Sequence, residues 1–354
     1  MSISSTSSTH ASSLSKDVYL AVSPGRQEGL FAARALDRGE RILCEGPLFT
    51  VNSPSSLPIA LSVVAPDKQD IFLSLSNAYA DNPSLSRQEG IFHTNAFSLS
   101  DDTRLSSSFS AGSSTPRYGI FPLTARLNHA CRPNVKSSYH PSSNTMQVHV
   151  LRPIAPHEEL FTSYLGRSDL YGATTAQRKA RLQKSWAFDC SCSLCEANPT
   201  VLSASDARRS DLSALHSRLP GLRPSDAGQT LRDCASALTL LEEEGLFLDG
   251  DEFASAAARA CAWHQDWEAA RAWARVGWES ARSEYGGESE LARRLEEGWK
   301  NAKGLLPSGV KGEKKELMGL TREVLGSRLP PSDSASSAGL SGMFGKMKRQ
   351  LLFS

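Results

Sequence analysis

Three of the seven cysteines in this 354-residue chain fall within six positions, in the run Cys190-Ser191-Cys192-Ser193-Leu194-Cys195. Thiols that close leave the backbone few choices: they form disulfides, they converge on a metal, or they are unrelated buried thiols. The first fifteen residues are mostly Ser and Thr, without the basic start and apolar core of a secretory signal. The expected compartment is therefore intracellular, nuclear or cytoplasmic, where thiols stay reduced and metal binding comes first. Zinc takes four ligands in a tetrahedron, so three come from this run and one from elsewhere. Cys131, Cys44, Cys234, Cys261 and His129 are the candidates for the fourth.

Around the cluster the chain changes character. Between Val18 and Val51 short apolar runs alternate with turn signals. Gly29 to Ala32 and Ile42 to Cys44 read as strands, with Asp37-Arg38-Gly39-Glu40 the turn between them. Residues 54–83 are more helical, and Ser106 to Thr115 reads as a flexible surface loop. Strand signals return from Ile120 to Phe161, including the alternating Met146-Gln147-Val148-His149-Val150. Beyond residue 203 they vanish, and Ala, Leu, Arg and Glu dominate. Glu252 to Trp263 and Trp267 to Tyr285 carry apolar residues at helical spacing, separated by His264-Gln265-Asp266 and closed by Gly286-Gly287. That is a helix–turn–helix pair of the tetratricopeptide kind, or a pair in a generic helical bundle. Leu291 to Trp299 and Glu316 to Leu325 supply further helices. The shift at Asn198-Pro199 predicts a separate helical domain with its own core. Residues 1–16 read as a disordered Ser/Thr-rich tail. Residues 332–354 are Ser-rich and then basic-amphipathic, a flexible tail or a surface helix.

Charge excludes some classes. Lys+Arg 39 against Asp+Glu 38 leaves a net +1, with no basic, aromatic-interleaved stripe around the cysteines, so no direct nucleic-acid contact is expected. Nowhere do about 18 apolar residues run together, so no membrane span is expected.

Two further constellations stand out. Asn128-His129-Ala130-Cys131-Arg132-Pro133-Asn134 places a polar pair before a turn. His157-Glu158-Glu159-Leu160-Phe161-Thr162-Ser163-Tyr164 reads as a turn, a strand and a Tyr that could present its hydroxyl at the strand end. Taken singly, His129 and Tyr164 are structural residues as readily as functional ones.

Their order gives them meaning. Gly29-Leu30-Phe31-Ala32 with Gly39-Glu40, Arg126 to Asn134, Glu158 to Tyr164, and Phe188-Asp189-Cys190 to Cys195 resemble, in sequence order, the motifs of SET-domain methyltransferases and their post-SET zinc segment. Thr94-Asn95-Ala96-Phe97 and Tyr118 to Pro122 are similar to the SET-and-MYND branch and related fungal SET proteins. No cysteine lies between Glu45 and Ala130, so that branch's MYND finger is not expected there. The cofactor loop of the family reads basic-Gly-x-Gly, whereas here it is Arg26-Gln27-Glu28-Gly29.

The resemblance implies an α+β chain. A β-rich SET domain at 17–165 carries an inserted segment at about 52–117. A post-SET zinc segment follows at 166–198, then an all-α, tetratricopeptide-like domain at 203–330 and a tail at 331–354. It implies transfer of a methyl group from S-adenosyl-L-methionine to a protein lysine, with chromatin proteins among the candidate partners. Tyr164 is then the catalytic residue. Arg26, Glu28, Gly29, Leu30, Asn95, Asn128, His129 and Phe188 contact the cofactor, and Cys131, Cys190, Cys192 and Cys195 hold a structural zinc. The alternative is a SET-derived interaction module in which Gln27 and Glu28 have weakened cofactor binding.

Overall fold

Strands β1 (Val18–Val22) and β2 (Glu28–Ala32) pair antiparallel with Leu20 opposite Leu30, which sends Val18, Leu30 and Ala32 into a common core. The computed structural model describes residues 12–13, 16–99 and 117–329. The Ser-rich loop at 106–115 and the tail at 331–354 lie outside the described residues. Within the segment read as a disordered N-terminal tail, Ser12 and Ser13 pair with Leu20 and Tyr19.

Strand β3 (Arg41–Glu45) does not form a hairpin with β2. It joins β9 (Thr145–Val150), which also pairs with β8 (Val135–His140) in the order β3-β9-β8. The turn at Asp37 to Glu40 is present, with Gly39 at φ +84°, but it is tied elsewhere. Leu36 bridges Ile154, and Gly39 N–H donates to the carbonyl of Val150. These non-local bonds, invisible to local pattern, send β3 to a different sheet.

A third sheet, β4 (Phe49–Val51), β6 (Tyr118–Ile120) and β5 (Ala96–Ser98), carries the inserted helices α1 (Leu57–Val63), α2 (Pro66–Leu73) and α3 (Arg87–Asn95). The start of α3 is written in its sequence: Ser86 and Glu89 exchange hydrogen bonds as a capping box. Phe72, Ile91 and Phe92 pack with Phe49 and Ile120 in a small core of their own.

The shortest pairing matters most. β7 (Asn128–His129) and β10 (Phe161–Thr162) lie parallel, with Phe161 opposite Asn128 and Thr162 opposite His129. This register lays two of the sequence motifs side by side. After Tyr164 the chain continues into α4 (Arg167–Gly172) and α5 (Thr175–Trp186). α5 ends on Ala187 in the left-handed conformation, which turns the chain into the cysteine run.

The helical half comprises α6 (Pro199–Arg218), α7 (Ala227–Glu244), α8 (Gly250–Trp263), α9 (Trp267–Tyr285), α10 (Glu290–Lys300) and α11 (Met318–Leu325). α8 and α9 pack as a helical pair about the turn at 264–266. α11 begins at Met318, two residues later than expected, where Asp266 accepts the Leu317 and Met318 N–H groups. Apart from a small cluster of Ala281, Tyr285 and Ala292, the core of this half is shared. One continuous apolar cluster runs from Ala130, Cys131, Leu170 and Leu182 through Leu212 and Leu231 to Trp273 and Leu325. Ion pairs between a partly exposed cation and a buried acid cross the same seam, Lys136 to Glu284 and Arg167 to Asp249. The composition break at residue 198 is therefore not a break in packing.

Candidate active site and metal centre

The four thiols come together. Cys131, just past β7, meets Cys190, Cys192 and Cys195, and all four sulfur atoms lie within 4.8 Å of one another in buried positions. Cys131 Sγ is 3.7 Å from Cys195 Sγ, against about 3.8 Å expected for thiolates around a tetrahedral zinc with 2.3 Å bonds. Hydrogen bonding with the Cys190, Cys192 and Cys195 thiols holds the Cys131 thiol far below the ordinary range, while the same contacts push the Cys190 and Cys195 thiols up, so without a cation the clustered sulfurs share their protons unequally. The donor set therefore fits a closed, structural four-thiolate zinc site. The other candidate ligands lie elsewhere: Cys44 is exposed on β3, and Cys234 and Cys261 are buried in the helical half. His129 sits beside the thiols as a neighbour. Its Nδ1 accepts the Tyr164 N–H at 3.0 Å, so its proton belongs on Nε2, 3.5 Å from Cys131 Sγ.

The same histidine ties the metal cluster to Tyr164. The Tyr164 ring stands 5.3 Å from Trp186, 5.4 Å from His129 and 6.2 Å from Phe188. Its hydroxyl donates to the carbonyl of Leu127 at 2.8 Å. Burial pushes the phenol well above its ordinary pKa, with Glu159 adding to the effect and Arg26 opposing it, so the hydroxyl stays a neutral donor.

Around Gly29 the loop is held by an acid of the Glu158-to-Tyr164 motif that was not among the expected site residues. The Glu159 carboxylate accepts from Asn128 Nδ2 at 2.7 Å and from Ser23 Oγ at 2.8 Å, and pairs with Arg26 at 3.8 Å. A Cβ on Gly29 would stand 2.5 Å from Glu159 Oε1 and 2.9 Å from Asn128 Nδ2, so any larger residue would displace the Glu159–Asn128 pair. Arg26 also lies over the Phe161 ring, 5.1 Å from its centroid.

The remaining candidate residues are placed differently. Leu30 is fully buried, so its side chain belongs to the core and only its backbone faces the neighbouring strands. The Glu28 carboxylate pairs with Arg126, which also donates to Ser74 in the insert. Asn95 ends α3, and its amide donates to the Ser76 and Ile91 carbonyls. Gln27 is not among the residues with positive φ, so its Cβ is accommodated, and its amide oxygen accepts from Ser76. Glu159 and Arg126 lie inside sequence motifs without being picked as site residues, and Ser23 had no signal in sequence beyond polar type. Only the approach of distant segments reveals them.

A cleft of about 380 Å³ opens at the seam between the halves. Lys136, Ser137, Thr162 and Ser163 line one side and Leu248 and Asp249 the other, next to the strand end that carries Tyr164.

Comparison with known proteins agrees with this geometry. The SET domain family matches residues 27–165, the segment that holds the Gly29 loop, β7 and Tyr164. Histone-lysine N-methyltransferase set5 of Schizosaccharomyces pombe is 30% identical over 259 residues, 72% of this chain and 74% of that protein. The chain belongs to the SET-domain family of protein-lysine methyltransferases. The SET region is also similar to N-lysine methyltransferase SMYD2 of Homo sapiens, 36% identical over 35% of this chain and 25% of that protein. Potential protein lysine methyltransferase SET6 of Saccharomyces cerevisiae is 35% identical over 23% of this chain and 20% of that protein. The similarity to SMYD2 thus spans about a quarter of SMYD2. Among the described residues of this SET protein, no helix is long and apolar enough to cross a membrane.

Proposed function

We propose that this SET protein methylates lysine side chains of other proteins, with S-adenosyl-L-methionine as methyl donor. The observation that carries the reading is the convergence of Asn128, His129 and Tyr164, brought about by the parallel β7–β10 register beside a loop where Gly29 lies close against Glu159 and Asn128. The cofactor would supply a methyl group on a cationic sulfur. Gly29, Asn128 and His129 would hold it, with Phe188 as an aromatic wall, Arg26 at the loop and Asn95 from the insert. An entering lysine must shed its proton to act as a nucleophile. The rings of Tyr164, Trp186 and Phe188 would desolvate it and so lower its pKa. Tyr164, fixed as a neutral donor on the Leu127 carbonyl, is suited to orienting the reacting groups and not to taking the proton.

The zinc would be structural, fixing the 188–195 segment over Tyr164. The seam cleft supports a protein substrate that touches both halves, and histones join non-histone proteins as candidates because set5 is named a histone-lysine enzyme. The alternative of a weakened interaction module leaned on Gln27 and Glu28. That Gln27 needs no positive φ and that Glu28 pairs with Arg126 support the methyltransferase reading over this alternative.

The test is calorimetric titration with S-adenosyl-L-methionine, paired with radiolabelled methyl transfer into a protein extract. Tyr164→Phe is expected to bind cofactor as wild type does and to lose about 10²-fold in turnover. Unchanged turnover would remove Tyr164 from the mechanism, and wild type that binds no cofactor would overturn the proposed activity.

A further inference from the structure

Arg209 is a charged residue in a place where charge is costly. It lies on α6 in the helical half, with its side chain fully buried. Its Nε donates to Glu244 Oε1 at 2.9 Å, its Nη1 to the carbonyl of Leu170, and its Nη2 to the carbonyl of Cys131 at 2.7 Å. Glu244, at the end of α7, is equally buried and also accepts from Ser205, Arg208 and Arg132. An ion pair of this kind is a poor device for stability alone, because desolvation offsets most of its attraction. What it provides is geometry, since a guanidinium is a rigid planar fork whose donors point in fixed directions.

We propose that Arg209 is a positioning residue through which the helical half sets the cofactor and metal motif. This inference rests on the methyltransferase reading above. The carbonyl it holds belongs to Cys131, so fixing that peptide plane fixes the direction of the Cys131 side chain. Cys131 Sγ is the partner of His129 Nε2, and His129 Nδ1 accepts the backbone N–H of Tyr164. Contacts therefore run without a gap from α6 to Tyr164, through a thiol of the metal cluster. Arg132 follows the same logic one residue on: it reaches Glu244, and Gly245 lies against its side chain. The cofactor motif and the zinc ligand thus share one anchor, and that anchor belongs to the helical half.

A matched control separates positioning from mere support. Arg178, on α5, is as fully buried as Arg209, but its donors go to Ala173, Thr175 and Asp206. Arg209→Lys and Arg178→Lys in the full-length chain keep the charge and lose the fork. Three readouts are compared: the thermal midpoint, S-adenosylhomocysteine binding by calorimetry, and cobalt uptake by the metal-stripped protein, followed through its thiolate-to-cobalt absorption band. Both variants are expected to lower the midpoint. Only Arg209→Lys is expected to weaken S-adenosylhomocysteine and cobalt binding, each by about tenfold. Equal weakening in the two variants, or none in Arg209→Lys, overturns the proposal. Should Arg209→Lys fail to fold, Glu244→Gln loosens the same fork from its other side. It is expected to weaken both ligands by a few-fold, and wild-type affinities in that variant overturn the proposal. Wild type that takes up cobalt but ignores S-adenosylhomocysteine would defeat the methyltransferase reading, leaving the cobalt comparison to decide Arg209.

Discussion

The SET half and the helical half of this chain are held together by different physics. In the helical half, α8 and α9 approach closely through small residues. Ala254, Ala257, Ala258, Ala270 and Ala274 are all essentially inaccessible, and the position of a Cβ on Gly277 would be 3.4 Å from that of Ala254. Around β7 and β10, regular structure amounts to two residues per strand, and buried polar groups do the knitting. Asn134 is wholly buried. Its amide donates to the Glu159 carbonyl at 2.8 Å and accepts the Phe161 N–H at 2.7 Å. Apolar packing adds up in small increments and tolerates local change, whereas a polar knot orphans every partner when one member goes. The chemistry sits in the knot, where atoms are fixed in place, and the alanine-packed half braces it from behind.

The largest expected effect comes from removing the metal. Structural zinc contributes free energy on the order of 10 kcal/mol to folding at such sites. Chelation, or Cys131→Ser, is expected to abolish metal content and to lower the midpoint of one shared unfolding transition by more than any substitution below, because the cysteines and the helices share one apolar cluster. Two separate calorimetric transitions would show that the halves are independent after all. For the same reason a fragment ending near residue 202 is expected to be insoluble, since it strips away Arg209, Glu244 and the helices that cover Cys131.

Much of the knot could be read from sequence, and its reason is physical. Metal ligands and strand-end motifs need particular residue types at particular spacings, so Cys131, His129, Tyr164 and the cysteine run carried their own signal. What escaped was non-local or chemically anonymous. β2 and β3 read as neighbours because a turn joins them, yet Leu36 and Gly39 are tied to Ile154 and Val150 instead. α6 gave no periodic signal because its buried stripe is Ser205, Arg209 and Leu212, two polar residues out of three. Glu159 sits in a named motif, but its role as the acid that gathers the loop shows only when Asn128 and Ser23 come within hydrogen-bond distance. The helical core inferred from composition is largely shared with the SET half, apart from a small cluster of Ala281, Tyr285 and Ala292. Composition records secondary structure, whereas shared burial depends on which surfaces meet.

A matched pair of substitutions sharpens the contrast at the next level. Asn134→Ala orphans a buried carbonyl and a buried N–H and is expected to cost about 3 kcal/mol in urea unfolding. Ala270→Leu overpacks the helical half and is expected to cost about 2 kcal/mol, with cofactor affinity retained. Should Asn134→Ala prove the milder of the two, the polar knot would not be what holds the SET half.

The smallest effect concerns the seam itself, where a polar group of one half is buried against the other. His149 on β9 is almost inaccessible, its Nδ1 has no hydrogen-bond partner, and its Nε2 lies against Gly286 at the end of α9. Burial lowers its pKa from 6.5 to about 4, with Glu288 opposing the shift and His140 and Arg41 assisting it. A depressed folded-state value means that the unfolded chain binds the proton more readily. The stability from a neutral His149 is therefore complete above pH 6.5 and is lost as pH falls toward 4. Between pH 7 and pH 5.5 that loss amounts to about 1 kcal/mol. Other groups titrate over the same range, so the quantity to measure is a difference. Urea unfolding of wild type and of His149→Gln, whose amide does not titrate, is compared at both pH values. Wild type is expected to lose about 1 kcal/mol more than the variant on acidification. Parallel losses would mean that His149 takes up its proton in the folded state as readily as in the unfolded chain, and that the seam is wet at this point.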